Sequence, residues 1–205
     1  MSEIFLNIAM TMSESVANGP GKRAVIWVQG CTIGCSDCYN AFTHPHKIKT
    51  ITTPQKLANW INSIEDIEGI TFSGGEPFEQ AEAITKVIEI INSEREKPLS
   101  IFIFTGYDYN FLKESKIQVV QKLLSCIDML SAGPYISSKK DSNLLWRGSS
   151  NQKLIYLTKR YCSSNEDKWL EESPVEELVL TKDSIKRTGF SGKKGILYNI
   201  VSNGL

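Results

Sequence analysis

Short apolar strands alternating with amphipathic helices predict an α/β protein. The expected architecture is a partial (β/α) barrel on a mainly parallel sheet, with a small β-rich appendage at the C-terminus. Three observations carry this. Strand-like and helix-like periods take turns along the first 160 residues, the arrangement that builds βαβ units with right-handed crossovers. Only four or five strand segments occur, too few for a closed eight-stranded barrel. After residue 160 the alternation stops and charge separates into blocks. The expected division is therefore a core over residues 1–160 and an appendage over 161–205.

The first strand is AVIWVQ, residues 24–29, ending at Gly30. A helix over 54–64 starts with Thr53 as N-cap and Pro54 in the first turn, and places Leu57, Trp60, Ile61 and Ile64 on one face. GITFS, residues 69–73, is the next strand, closed by Gly74-Gly75. A helix near 78–92 aligns Ala81, Ile84, Ile88 and Ile91. LSIFIFT, residues 99–105, is the third strand, and a helix over 110–125 follows with Leu112, Val120, Leu123 and Leu124 inward. IDMLS (127–131) and QKLIYLT (152–158) are two more strands. In such sheets chemistry gathers at the carboxyl ends of the strands.

Composition narrows the function classes. Among 205 residues, 23 Lys and Arg balance 23 Asp and Glu, so no basic excess supports a broad nucleic-acid or membrane-surface footprint. The apolar runs fall far short of the roughly 20 residues of a membrane span, and the N-terminus does not read as a signal peptide. A cytoplasmic protein with reduced cysteines is expected. The five cysteines fit no disulfide framework: Cys31, Cys35 and Cys38 lie within eight residues, while Cys126 and Cys162 stand apart.

The clustered thiols read C-x3-C-x2-C directly after the first strand. Three thiolates on one tight loop suit one metal centre. In a [4Fe–4S] cube they leave one iron open, and an open position is where a substrate or cofactor binds. His44 or His46 completing a Cys3His zinc site is the competing reading. Ser73-Gly74-Gly75-Glu76-Pro77 ends the second strand. Its paired glycines permit close backbone approach, and Glu76 adds an acceptor. A plain strand-to-helix turn with Pro77 in the first turn would also account for it.

Together these features resemble the radical S-adenosylmethionine (SAM) superfamily. The segments GPGKRAVIWVQGC (19–31), CYN (38–40), GITFSGGEPF (69–78), TGYDY (105–109) and RGSSNQ (147–152) are similar to the small activating enzymes of glycyl-radical enzymes, most of all those serving anaerobic ribonucleotide reductase. The resemblance implies a [4Fe–4S] cluster on Cys31, Cys35 and Cys38, with SAM chelated at the open iron. It implies Gly74, Gly75 and Glu76 around the SAM amino group, and Thr105 near its ribose or methionine part. Ser149 and Asn151 would be polar contacts, and Arg147 a partner for its carboxylate. One electron from the reduced cluster would cleave SAM to a 5′-deoxyadenosyl radical that abstracts a hydrogen atom. It further implies a glycyl-radical enzyme as protein partner and a flavodoxin- or ferredoxin-type electron donor. Direct modification of a small molecule, nucleotide or peptide is the alternative chemistry. A Cys3His zinc-binding interaction module and a ferredoxin-like carrier are the readings from other classes.

Two departures stand out. Asp37 precedes the third cysteine where many superfamily members carry an aromatic residue, and Tyr39 follows it instead, as in many reductase activases. Ser131-Ala132-Gly133-Pro134 lacks the acidic residue those activases commonly place before the glycine. The tail carries six acidic residues over 166–177 and five basic ones over 182–194. Two solvated faces of the appendage account for this, and a partner-docking surface is the sharper reading.

Overall fold

Four adjacent parallel strands form the centre of the computed structural model, which describes residues 3–173, 176–180 and 185–189. They are β2 (Arg23–Val28), β4 (Gly69–Gly74), β5 (Ser100–Thr105) and β6 (Met129–Ala132). Three antiparallel strands flank them: β1 (Leu6–Ser15) and β3 (Thr50–Thr52) on one side, β7 (Lys153–Tyr156) on the other. The sheet order is β3-β1-β2-β4-β5-β6-β7, and β7 pairs antiparallel with β6. The strand expected at residues 152–158 is thus an edge return rather than the end of another βαβ unit.

Register aligns the strand ends that matter. Val28 pairs with Gly74 and Thr105 with Ala132, so the four loops leaving the parallel strands emerge along one edge. One face of the sheet is packed by α1 (Pro54–Asn62), α2 (Ala81–Glu94) and α4 (Gln118–Leu124). Leu57, Ile61, Ile84, Ile88, Ile91 and Leu123 are buried there with Ile26, Ile70, Phe72, Ile101 and Ile103. Thr53 caps α1 as expected, its Oγ1 accepting from the Lys56 N–H at 3.3 Å.

The single helix expected over 110–125 is two, α3 (Tyr109–Glu114) and α4. Ser115 leaves the helix (ψ 134°), and its hydroxyl accepts from the Ile117 N–H. Serine's side chain competes with helical backbone bonding in this way. Gln121 Nε2 then donates to the Leu112 and Ser115 carbonyls, at 2.8 Å each, groups that a continuous helix would have paired.

Arg23, within the GPGKRAV segment, is fully buried at the amino ends of the strands. Its five N–H groups are all used: Nε to Thr71 Oγ1, Nη1 to Pro20 O and Ser100 Oγ, Nη2 to Ile70 O and Ser100 O. A buried charge is tolerable only when satisfied in this manner. Arg23 therefore staples β2, β4 and β5 at the end opposite the cysteines.

The tail is not wholly β. Its acidic stretch opens as helix α5 (Glu166–Glu172), with Glu166 and Asp167 in the first turn, where the helix dipole favours negative charge. An antiparallel hairpin follows, β8 (Glu176–Leu180) with β9 (Ile185–Gly189). The rest of the basic stretch at 182–194 lies outside the described residues.

Candidate metal and cofactor site

The loop leaving β2 turns at Gly30 (φ 103°) and is pinned at once. Gly30 N–H donates to Thr43 O at 2.8 Å and Cys31 N–H to His44 O at 3.0 Å. Gln29 Nε2 adds bonds to the carbonyls of Thr43 and Pro45. Between these anchors the chain reverses through Gly34 (φ 59°) and Asp37 (φ 57°). Asp is among the few non-glycine residues that enter this region readily, which gives the residue before Cys38 a backbone reason. Cys31, Cys35 and Cys38 are all free thiols of intermediate exposure.

The SGGEP turn meets this loop backbone to backbone. Gly75 N–H donates to Val28 O and Glu76 N–H to Gly30 O, both at 2.8 Å. A Cβ on Gly75 would fall 2.1 Å from Gly30 O, and one on Gly74 (φ 96°) 2.7 Å from Val28 O. The paired glycines thus let two loops touch. Thr32, just after Cys31, donates from N–H and Oγ1 to Glu79 Oε1 (2.7 and 2.5 Å), joining the loops a second time.

Glu76 is buried and held by three donors: Phe78 N–H and Thr105 Oγ1 on Oε1, Gly106 N–H on Oε2. It therefore ties the end of β5 to the turn after β4. Burial pushes its carboxyl up to about 7, although the three donors favour ionisation. Because the folded state binds this proton more tightly than an unfolded carboxyl near 4.5, the associated stability is complete below pH 4.5. It is lost as pH rises through 7, a swing of about 3 kcal/mol. Glu76→Gln is expected to flatten the pH dependence of urea stability between about pH 5 and 8, whatever its constant offset.

These groups line a cleft of about 100 Å³ at the carboxyl edge of the sheet. Its walls include all three cysteines, Gly74, Gly75, Glu76 and Thr105, so the structure brings together seven of the ten expected residues. The other three stand behind the wall. Arg147 Nε donates to Leu145 O and its Nη2 pairs with Glu166 at 3.6 Å. Ser149 is fully buried, its hydroxyl accepting from Ile136 N–H. Asn151 Nδ2 donates to Pro134 O, and its Oδ1 is buried without a hydrogen-bond partner.

Sequence reasoning missed Tyr39, Asn40, Tyr135, Gly148 and Gln152, which also line the cleft. Gln152 links the RGSSNQ loop to the end of β6, accepting from Gly148 N–H (2.7 Å) and donating to Gly133 O (2.9 Å). Gly148 is small because Tyr39 and Tyr135 pack edge to face beside it, their ring centres 5.4 Å apart. Gly148 and Gln152 lie inside the RGSSNQ motif, but only closure of the fold reveals that they face the site.

Three free cysteines sharing one cleft suit a cluster. Burial pushes the Cys31 and Cys38 thiols up, while backbone N–H groups of Ile33, Gly34 and Asn40 favour their thiolates. His44 also lines the cleft, yet among the described residues no three or more His, Cys, Asp or Glu side chains are grouped so as to hold a single metal ion. Cys126 packs against the helical core and Cys162 is exposed; neither lines the cleft. Cys162→Ser is expected to leave the iron content of anaerobically reconstituted protein unchanged, and a fall in iron would break the three-ligand assignment.

Residues 17–155 match the model of a family described as the 4Fe-4S single cluster domain. The chain is similar to the anaerobic ribonucleoside-triphosphate reductase-activating protein of Escherichia coli K12, 33% identical over 148 residues, which is 69% of this chain and 93% of that protein. The Haemophilus influenzae protein of the same name is 30% identical over 72% of this chain and 96% of its own length. That of bacteriophage T4 is 31% identical over 67% and 85%. An overlay on QueE from E. coli, with a TM-score of 0.37 and 18% identity over 51% of this chain and 53% of that one, is too partial to bear on the fold. Among the described residues no helix is long and apolar enough to cross a membrane.

Proposed function

The chain belongs to the 4Fe-4S single-cluster family of radical SAM activating proteins, and from that membership we propose that its cleft binds SAM and that it makes a glycyl radical on a partner ribonucleotide reductase. The observation that carries this reading is one cleft, at the ends of adjacent parallel strands, walled by Cys31, Cys35, Cys38 and the SGGEP turn. A cluster held by Cys31, Cys35 and Cys38 would supply the one-electron reduction that cleaves SAM and starts hydrogen-atom abstraction.

The protein's own residues orient and enclose this chemistry. Cys31, Cys35 and Cys38 hold the cluster. Gly74 and Gly75 bring the turn against the cysteine loop, in place for the amino group of SAM. Glu76 acts there by fixing Thr105 and Gly106 at the cleft wall. Arg147, Ser149 and Asn151 hold the loop that presents Gly148 and Gln152. A flavodoxin- or ferredoxin-type protein supplies the electron.

The test is anaerobic incubation of reduced, cluster-loaded protein with SAM and the organism's anaerobic ribonucleotide reductase. A glycyl-radical EPR signal on the reductase is the expected result. SAM cleavage coupled instead to turnover of a small metabolite would overturn the activase reading.

A further inference from the structure

The family match ends at residue 155, yet the β8–β9 hairpin beyond it packs back onto the core beside the site. Ser15 Oγ donates to Glu177 Oε2 at 2.6 Å, and Asn18 Nδ2 donates to Thr188 Oγ1 at 2.8 Å. Asn18 also accepts at its carbonyl from Thr71 Oγ1 at 2.7 Å, so the hairpin is tied through it to β4. Asn18 and Thr188 are each 7% exposed.

Between the hairpin and the sheet lies a second cavity of about 320 Å³. Arg187, Thr188 and Gly189 of β9 form one wall, and Trp27 with Phe42 contributes to the opposite side. Tyr39, Asn40, Ser73 and Phe104 line both this chamber and the cysteine cleft, so the two adjoin across these side chains. An occupant of the chamber therefore lies next to the cleft that holds the three cysteines.

The lining indicates what that occupant is. Among the described residues that line the chamber Arg187 is the one cation, and its Nε is ion-paired with the buried Glu176 carboxylate. The remaining polar groups are amides and hydroxyls set among aromatic faces, which suit the alternating carbonyls and N–H groups of a neutral peptide. In addition β9, the strand that lines the chamber, pairs only with β8 among the described residues. Its other edge is a template for an extended chain.

We propose that the β8–β9 hairpin is the outer wall of the substrate chamber and that it receives the glycine-bearing segment of the partner enzyme as extended backbone, with Arg187 and Thr188 as specificity-determining contacts. This rests on the activase reading. The test uses the cluster-loaded enzyme with SAM and the organism's anaerobic reductase, comparing wild type with Arg187→Ala, Arg187→Lys and the chamber-filling Thr188→Trp. Reductase affinity is measured by titration calorimetry, and glycyl radical by EPR. Iron content at the wild-type level identifies variants that have folded. Arg187→Ala and Thr188→Trp are each expected to weaken reductase binding at least tenfold and to lower radical yield at limiting reductase, with Arg187→Lys recovering part of the loss. Unchanged affinity in both, beside a wild type that does form the glycyl radical, overturns the wall. A wild type that cleaves SAM but never forms the glycyl radical overturns the activase reading, and the wall's assignment with it.

Discussion

Cys35→Ala is expected to abolish the cluster and, with it, all SAM cleavage. The three thiols lie on a single loop whose ends are fixed by the bonds from Gly30 and Cys31 to Thr43 and His44, so no other cysteine can move in. Cys126 is packed against the core and Cys162 lies outside the cleft. A cube held by three thiolates has none to spare, since the fourth iron must stay open for chemistry. Iron and sulfide analysis after anaerobic reconstitution should fall from about four of each per chain to a small, adventitious fraction. The cluster's visible absorption should disappear in parallel. The fold itself should survive, because Cys35 contributes to no core cluster among the described residues.

Gly75→Ala is expected to be nearly as damaging for a different reason. Its Cβ would sit 2.1 Å from the Gly30 carbonyl oxygen and 2.8 Å from the carbonyl carbon, both backbone atoms that cannot swing away. The two loops must then separate, stretching the Glu76–Gly30 and Gly75–Val28 bonds that hold cysteines and turn together. Overpacking of this kind destabilises by about 1–3 kcal/mol. Displacement of a site by about 1 Å lowers rates by about 100-fold. A lower melting temperature, together with an approximately 100-fold slower deoxyadenosine formation at full iron content, is the expected outcome. Wild-type rates in this variant would remove the contact from the account.

The two motifs were legible because each is local: a fixed cysteine spacing, and a glycine pair at a strand end. Their common edge was legible too, since the carboxyl ends of parallel strands lie together. The work of the glycines was not. Sequence alone suggests space for a ligand, whereas the observed neighbour of Gly75 is Gly30, 45 positions away, and only strand register decides that. Strands β1 and β3 went unseen for a related reason. β1 is half exposed along much of its length and β3 is three residues long, so neither carries a firm apolar period. The break in the helix over 110–125 depended on one serine side chain bonding to the backbone, a choice that apolar spacing does not report. Gly148 and Gln152 reach the cleft through a loop that turns at Trp146, a bulky residue held at φ 49° and buried between Phe102 and Trp169. Backbone forced into that region is maintained by surrounding packing, which only the folded chain displays.

The central claim is that one cleft on this chain holds a cluster able to cleave SAM. The direct measurement is product analysis of anaerobically reconstituted, reduced protein given SAM alone. The account predicts methionine and 5′-deoxyadenosine in equal amounts from protein carrying about four irons and four sulfides, and none from Cys35→Ala. Protein that carries iron and sulfide but yields no 5′-deoxyadenosine, or that purifies with one zinc and no sulfide, would contradict it.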